Sequence, residues 1–372
     1  MQKIVSFLKK EPVLIAALFA MVISCFFVPP DPKYADYLDF RTLATLYALM
    51  TVVAGLREAG LFDKLSHALS GRAKSVRSLC VFLIAATYSS SMLITNDVAI
   101  LTFVPFTAAV LSLSGQKKAL LPAAVLETVA ANLGSVVTPM GNPQNLFLYS
   151  RYDLPLSDFF MTTLPIGGAS LLLLLSASLF LLPREELRPP AEEKTFFSAR
   201  HTALYAVLLI PCLLTVTRIL PWYWMLGTVV AVLLIFDRRA LLRADFFLLL
   251  TFTAFFVFSG NLARIGAVDA FLRRVLEGRV YLTSLLTSQV ISNVPSALLL
   301  AGFTEEWRPL LWGVNVGGLG TPVASLASLI GLRLYARSEG AKTGRFLLVF
   351  TAVNLIFLLL LSGLAAFFLR KA

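Results

Sequence analysis

Charged residues, histidine and cysteine are all scarce in this sequence. Asp, Glu, Lys and Arg make up 14% of its 372 residues, with two histidines and three cysteines. Soluble domains carry about 25% charged residues and about 45–50% apolar residues. Here 58% of the residues are hydrophobic. The composition therefore argues against a soluble domain and predicts a membrane protein.

The shortage of histidine and cysteine also limits the chemistry available. Cys25, Cys80 and Cys212 lie in separate apolar stretches without paired spacing, which argues against a disulfide framework and a thiolate metal site. The sequence contains no metal-ligand spacing and no Gly-x-Ser-x-Gly elbow, and no histidine lies in the duplicated regions described below. We therefore predict neither an enzyme nor a transition-metal site.

The formal net charge is +11, but the basic residues lie in short islands between apolar windows. Those windows are about 17 to 30 residues long, the length that spans a bilayer core of about 30 Å. Basic loops between membrane helices follow the positive-inside rule, so the charge does not predict a nucleic-acid partner. Seven windows predict single crossings, at about 11–29, 40–57, 159–182, 202–220, 222–236, 246–262 and 345–369. The first lacks a small-x-small cleavage pattern and is predicted to be a membrane helix, not a signal peptide.

Two polar regions between these windows resemble each other. "SMLITN" in the first matches "SQVISN" in the second, and "ANLGSVVTP" aligns without a gap with "VNVGGLGTP". Upstream of each, "AGLFDKL" matches "IGAVDAF". Three matches in the same order predict an internal duplication.

Each polar region is too short and too interrupted for ordinary crossings. We predict a re-entrant hairpin followed by a broken helix in each half, because Gly and Pro interrupt helices and lipid tolerates such breaks only inside protein. The predicted parts are an N-terminal repeat at 1–183 (hairpin 76–113, broken helix 118–150), a polar linker at 184–200, and a C-terminal repeat at 201–372 (hairpin 280–303, broken helix 309–335).

Loop charges predict the orientation. Lys3, Lys9 and Lys10 place the N-terminus in the cytoplasm, and counting crossings from there places the C-terminus in the periplasm. The two halves are then inverted relative to each other, as in many secondary transporters. One observation counts against this arrangement, since Arg264, Arg273, Arg274 and Arg279 make a supposedly external loop basic.

Two hairpin tips and two broken helices that meet near the midplane would form an ion and solute site. Helix N-termini attract anions, while free carbonyls and Ser, Thr and Asn oxygens suit a hard cation such as Na⁺. The alternative is that the small and polar residues only allow close helix packing. Packing does not require asparagines at repeat-related positions, which favours the binding site.

The motifs "SMLITND" and "SQVISNV", with "GNPQN" on a broken helix, resemble the ion transporter superfamily of divalent anion–sodium symporters, citrate transporters and arsenite permeases. The strings "TNDVA", "TPMGNPQN" and "SQVISNVPS" are most similar to a bacterial inner-membrane permease branch of it. The resemblance covers the whole chain. It implies an all-α polytopic membrane protein of about 9–11 transmembrane helices in two inverted repeats, each with a re-entrant hairpin and a discontinuous helix.

The same resemblance implies a function and its residues. It implies an elevator-type secondary transporter in the lipid bilayer that is coupled to Na⁺ or H⁺, has no other cofactor and could form a homodimer. Cation binding is predicted at Ser91, Thr95, Asn96, Asp97 and Gly141 in the first half, and at Ser288, Ser292, Asn293 and Ala324 in the second. Substrate binding is predicted at Asn96, Asn142, Pro143, Asn145, Asn293, Ser325 and Ser328.

Asp97 and Glu127 are the two carboxylates well inside apolar stretches of the polar regions. A charge in mid-membrane costs about 2.5–3.5 kcal/mol on insertion scales, so its default interpretation is functional. Asp97 is predicted to bind the cation or carry a proton, with capping of a helix starting at Val98 as the alternative. Glu127 is a second candidate proton carrier, but pairing with a basic side chain or a position near the interface would explain it equally well.

The motifs fit more than one class of substrate. A small anion or oxyanion is predicted, although Asp97 and the absence of Lys or Arg from the motifs argue against a dicarboxylate. Metalloid efflux and Na⁺/H⁺ antiport are the alternative carriers. A passive channel would share the re-entrant hairpins, but two tips facing opposite ways favour alternating access.

Overall fold

The computed structural model describes residues 11–71, 73–186 and 196–370, and this part of the chain is α-helical without a β-strand. Lys3, Lys9, Lys10 and most of the 184–200 linker lie outside the described residues. The helices are α1 (Pro12–Phe27), α2 (Phe40–Glu58), α3 (Leu61–Ser70), α4 (Val76–Ser91), α5 (Asn96–Leu113), α6 (Lys117–Gly134), α7 (Pro143–Arg151), α8 (Leu156–Leu181), α9 (Ala199–Val216), α10 (Trp222–Phe236), α11 (Phe246–Arg264), α12 (Gly266–Leu276), α13 (Val280–Ile291), α14 (Asn293–Leu300), α15 (Trp307–Val316), α16 (Leu326–Ala336) and α17 (Thr343–Leu369).

Five of these helices, α5, α8, α9, α11 and α17, are long and apolar enough to cross a membrane by themselves. α2 also qualifies when joined to α3, from which it is bent by 54°. Together these helices confirm the predicted all-α polytopic membrane protein. The predicted single crossings agree with the observed helices to within a few residues.

Contacts between helix ends define two faces of the molecule. On the first face, Glu58 at the end of α2 pairs with Arg243 just before α11 at 2.7 Å, and Lys117 at the start of α6 pairs with Glu339 after α16 at 2.8 Å. On the second face, Arg264 at the end of α11 pairs with Asp31 after α1 at 2.8 Å. α2 and α11 therefore run in opposite directions between the faces.

The two hairpins enter from opposite faces. Hairpin 1 consists of α4 and α5, and the backbone N–H of Val76 at its start donates to Glu185 O at 2.9 Å, next to the end of α8. Hairpin 2 consists of α13 and α14 and turns at Ser292, whose φ is +73°. It ends on the second face, where Tyr152 after α7 donates its hydroxyl to Ala301 O at 3.4 Å and Thr304 O at 2.8 Å. The predicted inverted halves are thus present.

A broken helix follows each hairpin. The first consists of α6 and α7 and the second of α15 and α16; we call the segments between them break 1 (135–142) and break 2 (317–325). α6 packs against both arms of hairpin 1, as α15 does against hairpin 2. The second parts are exchanged: α7 contacts α14 and α16 contacts α5. This exchange brings both breaks and both tips together.

Glycine allows this close packing. A Cβ on Gly134, at the end of α6, would lie 2.2 Å from Tyr88 O and 2.4 Å from Ser91 Oγ on hairpin 1. Its repeat-related residue Gly317 would place a Cβ 2.9 Å from the Leu285 Cα on hairpin 2. Real Cβ atoms do not come this close to a backbone atom, so only glycine fits at either position.

The helices form two groups. α1, α2, α9, α10 and α11 pack mainly against one another, and the hairpins and broken helices pack with α8 and α17. The short helices α3 and α12 link the groups, α3 after α2 and α12 after α11. The matched segments "AGLFDKL" and "IGAVDAF" span the starts of these two helices. The duplication therefore includes the link between the groups.

Candidate functional site

Asn132 at the end of α6 reaches across to the other broken helix. Its Oδ1 accepts a hydrogen bond from Ser325 Oγ at 3.0 Å, and its Nδ2 donates to Ser328 Oγ at 3.0 Å. All three residues are buried. The first broken helix is thereby tied to the start of α16.

Asn315, the repeat-related residue on α15, makes the reverse contacts. Its Nδ2 donates to Asn145 Oδ1 at 2.7 Å, and its Oδ1 accepts from Asn142 Nδ2 at 3.3 Å. The gapless alignment of 131–145 with 314–328 puts Asn142 over Ser325 and Asn145 over Ser328. Each half therefore uses one asparagine to hold the same two positions of the other half.

The hairpin tips lie against the breaks. The backbone N–H of Asn96 donates to Gly141 O at 3.1 Å, and Ser292 Oγ donates to Ala324 O at 3.3 Å, with Gly141 and Ala324 at repeat-related positions. Asn96 Nδ2 also donates to Asn132 Oδ1 at 3.3 Å. The first tip is thus connected to the asparagine pair described above.

Most of the predicted site residues therefore meet in one region. Asn96, Asn142, Asn145, Asn293, Ser325 and Ser328 are all buried there or next to it. Ser91 and Ser288 lie on the first helix of each hairpin, before the tip. Their hydroxyls donate within their own helices, to Tyr88 O at 2.8 Å and Ser284 O at 2.7 Å. The cation-binding and substrate-binding roles of all the predicted site residues stay predictions.

Asn132 and Asn315 are not among the residues predicted from the sequence to bind cation or substrate. Both belong to the duplicated Asn-x-Gly-x-x-x-Thr-Pro pattern, which favours a binding site without assigning these two positions to it. The signal that could have identified them is an asparagine at the same place in both halves, inside a mostly apolar helix. Such a residue needs a polar partner, and here each finds its partner in the other repeat.

A cavity of about 960 Å³ leads from the first face to this region. Thr95, Asp97, Pro143 and Leu326 line it near the tips and breaks. Arg57, Glu58, Asp63, Arg243 and Asp245 line it toward the first face. A second cavity of about 600 Å³ is lined by residues of the second face, and none of the predicted site residues lines it.

Asp97 is a half-buried carboxylate in the first cavity. α5 begins at Asn96, and Thr95 occupies the N-cap position, so the predicted helix start at Val98 is wrong. The N–H of Asp97 donates to Asn96 Oδ1 at 3.0 Å. Its own carboxylate makes no hydrogen bond or ion pair with the residues that the structure describes, which leaves its oxygens open to a ligand.

The walls of this cavity carry more acidic than basic groups. Asp63, Asp97 and Asp245 stand with Glu58 against Arg57 and Arg243. Arg243 is already paired, because it binds Glu58 at 2.7 Å and Asp237 at 2.9 Å. The approach to the site therefore favours a cation or a neutral solute over a multivalent anion.

Glu127 lies fully buried on α6, away from the cavity wall. Its Oε1 accepts a hydrogen bond from Thr107 Oγ1 of hairpin 1 at 2.5 Å, and its Oε2 has no partner within the described residues. None of the described basic residues pairs with it. Its role as a proton carrier stays a prediction.

The pattern that defines the citrate transporter family matches residues 4–331. This chain belongs to the citrate transporter family. The family name and the names of the relatives described next both indicate membrane transport. The chain is a multi-pass membrane transporter.

Two relatives match this citrate transporter family member over most of their length. Inner membrane protein YbiR of Escherichia coli is 34% identical over 320 residues, covering 83% of this chain and 84% of YbiR. An uncharacterized transporter of Methanocaldococcus jannaschii is 31% identical over 331 residues, covering 89% of this chain and 90% of that protein. A shorter match, 33% identical over 141 residues, joins 37% of this chain to 28% of the silicon efflux transporter LSI3 of Oryza sativa.

The fold also has a solved counterpart. The crystal structure of the YdaH transporter of Alcanivorax borkumensis, described as having an unusual topology, superposes with a TM-score of 0.60 at 15% identity. The match covers 92% of this citrate transporter family member and 88% of the YdaH chain. At this identity the likeness establishes the fold alone.

The reciprocal asparagine contacts predict a measurable coupling between the halves. Asn132→Ala and Ser328→Ala should each lower the melting temperature of the purified protein in detergent. Both substitutions remove the same hydrogen bond. The loss in free energy of unfolding of the double variant should therefore be smaller than the sum of the two single losses, by about 1 kcal/mol. Asn132→Ala combined with Ser178→Ala, at a buried serine on α8 that bonds Leu174 O, should be additive. Additivity in both pairs would contradict the contact.

Proposed function

We propose that this protein is a secondary active transporter that moves a small anion or oxyanion across the membrane, coupled to Na⁺ or H⁺. One observation carries the proposal. The polar site, formed by the two hairpin tips and the two breaks, is reached by the cavity from the first face and not by the cavity on the second face. A site open to one face at a time is what alternating access requires. A passive channel would need a continuous path, and the second cavity ends without reaching the predicted site residues.

Two helix N-termini support solute binding at the breaks. α7 begins after Asn142 and α16 after Ser325, and Asn132 and Asn315 hold these two positions near each other. Free N–H groups and the dipole at a helix N-terminus attract negative charge. Ser328, one helical turn further on, would add a polar side-chain contact to the substrate, while Asn145, its counterpart on α7, is engaged by Asn315 and by the carbonyls of break 1.

Asp97 supports cation coupling. Its carboxylate faces the cavity beside Thr95 and Pro143, and the repeat-related position in hairpin 2 holds Val294. A Na⁺ there would be bound by Asp97 with Ser91, Thr95, Asn96 and the Gly141 carbonyl. A proton on Asp97 would serve the same purpose, and Glu127 is the second group that could carry one.

The two groups of helices support an elevator-type movement. The hairpins and broken helices form one packed group that carries the whole site. α3 and α12 join this group to the helices around α2 and α11. A shift of the site-bearing group relative to the other would move the site from the first cavity toward the second.

The charges favour the first face as the cytoplasmic one. Among the described residues, basic side chains outnumber acidic ones about two to one on the first face and are nearly balanced on the second. Part of the unfavourable charge on the second face is paired: Arg264 binds Asp31, holding the pKa of that carboxyl below its usual range, and Arg273 binds Asp269. We infer a bacterial inner membrane, in line with the name of YbiR, with a cytoplasmic N-terminus and a periplasmic C-terminus.

A reporter fusion tests this orientation. Alkaline phosphatase, which is active only outside the cytoplasm, should be active when fused after Arg370 and inactive when fused in the first-face loop at Glu339. Green fluorescent protein at the same two points serves as the matched control and should give the opposite pattern. Active phosphatase at Glu339 would reverse the assignment of the faces.

Metalloid efflux is the second candidate. The excess of acidic groups on the cavity wall suits an uncharged hydroxylated acid better than a multivalent anion, and one partial relative is named a silicon efflux transporter. Na⁺/H⁺ antiport would use Asp97 in the same way without a second solute. A thermal-shift panel of oxyanions, carboxylates, metalloid acids and cations, followed by flux of each hit into proteoliposomes, distinguishes these candidates.

The two tip asparagines should be required for transport. Asn96→Ala and Asn293→Ala should each lower the initial rate of proteoliposome uptake by roughly tenfold or more, because each removes polar contacts at a buried site. Asn354→Ala is the matched control, since among the described residues this buried asparagine of α17 bonds Phe350 O alone. Wild-type rates in both tip variants would refute the site.

Asp97 should set the coupling. Asp97→Asn keeps the size and polarity of the side chain and removes its charge. If Asp97 binds Na⁺, the uptake rate of the variant should no longer depend on Na⁺; if Asp97 carries the proton, the rate should no longer depend on pH. Asp63→Asn removes a charge at the outer part of the same cavity and should keep both dependences. If Asp97→Asn responds to Na⁺ and to pH as the unaltered protein does, Asp97 is not the coupling group.

A further inference from the structure

Gln289 on hairpin 2 is fully engaged with break 2. Its Nε2 donates to Gly317 O at 2.6 Å and to Leu319 O at 2.8 Å, and its Oε1 accepts from the N–H of Thr321 at 3.1 Å. A glutamine amide has two donors and an acceptor, and here each of them has a backbone partner. The three bonds fall within five consecutive residues of the break.

Break 2 requires such a partner. Its carbonyls point away from a helical ladder, and an unpaired peptide group in an apolar interior costs several kcal/mol. Gly320 adopts φ +99°, and a Cβ at this glycine would lie 2.5 Å from Gln289 Oε1. The side chain of Gln289 therefore packs directly on the backbone that it holds.

Break 1 is held in a different way. The residue that aligns with Gln289 is Met92, which has no amide. The carbonyls of break 1 are bonded instead by Asn145 Nδ2, to Val136 O at 3.0 Å and to Ser135 O and Thr138 O at 3.2 Å each. Asn145 belongs to α7, so the first broken helix holds its own break.

This difference separates the roles of the two hairpins. Hairpin 2 reaches its break through a side chain with three hydrogen bonds, while hairpin 1 reaches break 1 through Asn96 N–H to Gly141 O and through the Thr138 hydroxyl to Met92 O. The Gly317 and Leu319 carbonyls each accept a hydrogen bond from Gln289. The second break then offers Ser325, Ser328 and backbone N–H groups to a solute.

We propose that Gln289 is a positioning residue that fastens break 2 to hairpin 2, so that the second tip and the second broken helix move as one piece. The proposal rests on the proposed function only in taking the breaks as the solute site. It concerns the local opening of break 2, which is measured without transport.

Cysteine reporters on the two breaks test this proposal. In a chain whose own cysteines are replaced (Cys25→Ser, Cys80→Ala, Cys212→Ala), Leu319→Cys reports on break 2 and Val136→Cys on break 1. These positions are repeat-related and both side chains are buried. A thiol reagent therefore reaches either reporter only when its break opens.

Gln289→Met is the decisive change, because methionine is similar in volume but makes none of the three bonds. We expect it to speed labelling of the break 2 reporter roughly tenfold and to leave labelling of the break 1 reporter unchanged. Gln289→Glu keeps the acceptor for Thr321 and should have a smaller effect on the break 2 reporter. Met92→Leu, the matched change on hairpin 1, should alter neither rate.

Two results would overturn the proposal. If Gln289 only fills space, Gln289→Met leaves the labelling rate of the break 2 reporter as it was. If its loss loosens the whole protein, both reporters are labelled faster to the same degree and the melting temperature falls. Should Gln289→Met not yield folded protein, Gln289→Glu decides by the same two rates. Failure of the transport experiments would leave these labelling results intact, so the two proposals are tested separately.

Discussion

Everything in this structure depends on satisfying peptide groups where helices are interrupted inside a membrane. Lipid cannot pair them, so the breaks persist because protein groups do so. The partners of the break peptide groups are amide side chains: Asn145 bonds carbonyls of break 1, and Gln289 bonds carbonyls and one N–H of break 2. Asn132 and Asn315 bond polar side chains of the other repeat at the starts of α16 and α7. These same amides bring the N-termini of α7 and α16 together and so create the polar site.

The reciprocal arrangement follows from the duplication. A single copy would present one asparagine with no partner, because Ser325 and Ser328 belong to the other half. In the inverted pair, each asparagine finds its partner at the same two positions of the opposite copy. The contact that stabilises the fold is therefore also the contact that assembles the site from two faces.

Much of this architecture could be predicted from the sequence. Apolar windows predict the crossing helices, and the matched strings around Ser91 and Ser288 predict the hairpins, because length and composition decide both. The breaks are predicted from Gly134 and Pro139, since helices lose hydrogen bonds at such residues. The boundary between the repeats stays a prediction, because most of the 184–200 linker lies outside the described residues.

The side-chain partners could not be predicted in this way. Asn132 and Ser328 are 196 positions apart, and no local pattern specifies which buried asparagine meets which serine. The predicted start of α5 lies too late in the chain, because Asp97 looks like a cap when Thr95 and Asn96 are assigned to the hairpin tip. No sequence pattern predicts that Arg264 pairs with Asp31. Without that ion pair, the positive charge at the end of α11 is overestimated.

The remaining question concerns the unequal tips of an otherwise symmetrical pair. Hairpin 1 carries Met92 and Asp97 where hairpin 2 carries Gln289 and Val294. The first tip thus has a charge at the cavity and no side-chain clamp on its break, and the second has the clamp and no charge. Binding of an ion drives a conformational change only if the ion stabilises one conformation more than the other. A charged group therefore has the larger effect on the hairpin tip that is held by fewer hydrogen bonds, and Asp97 lies on that tip.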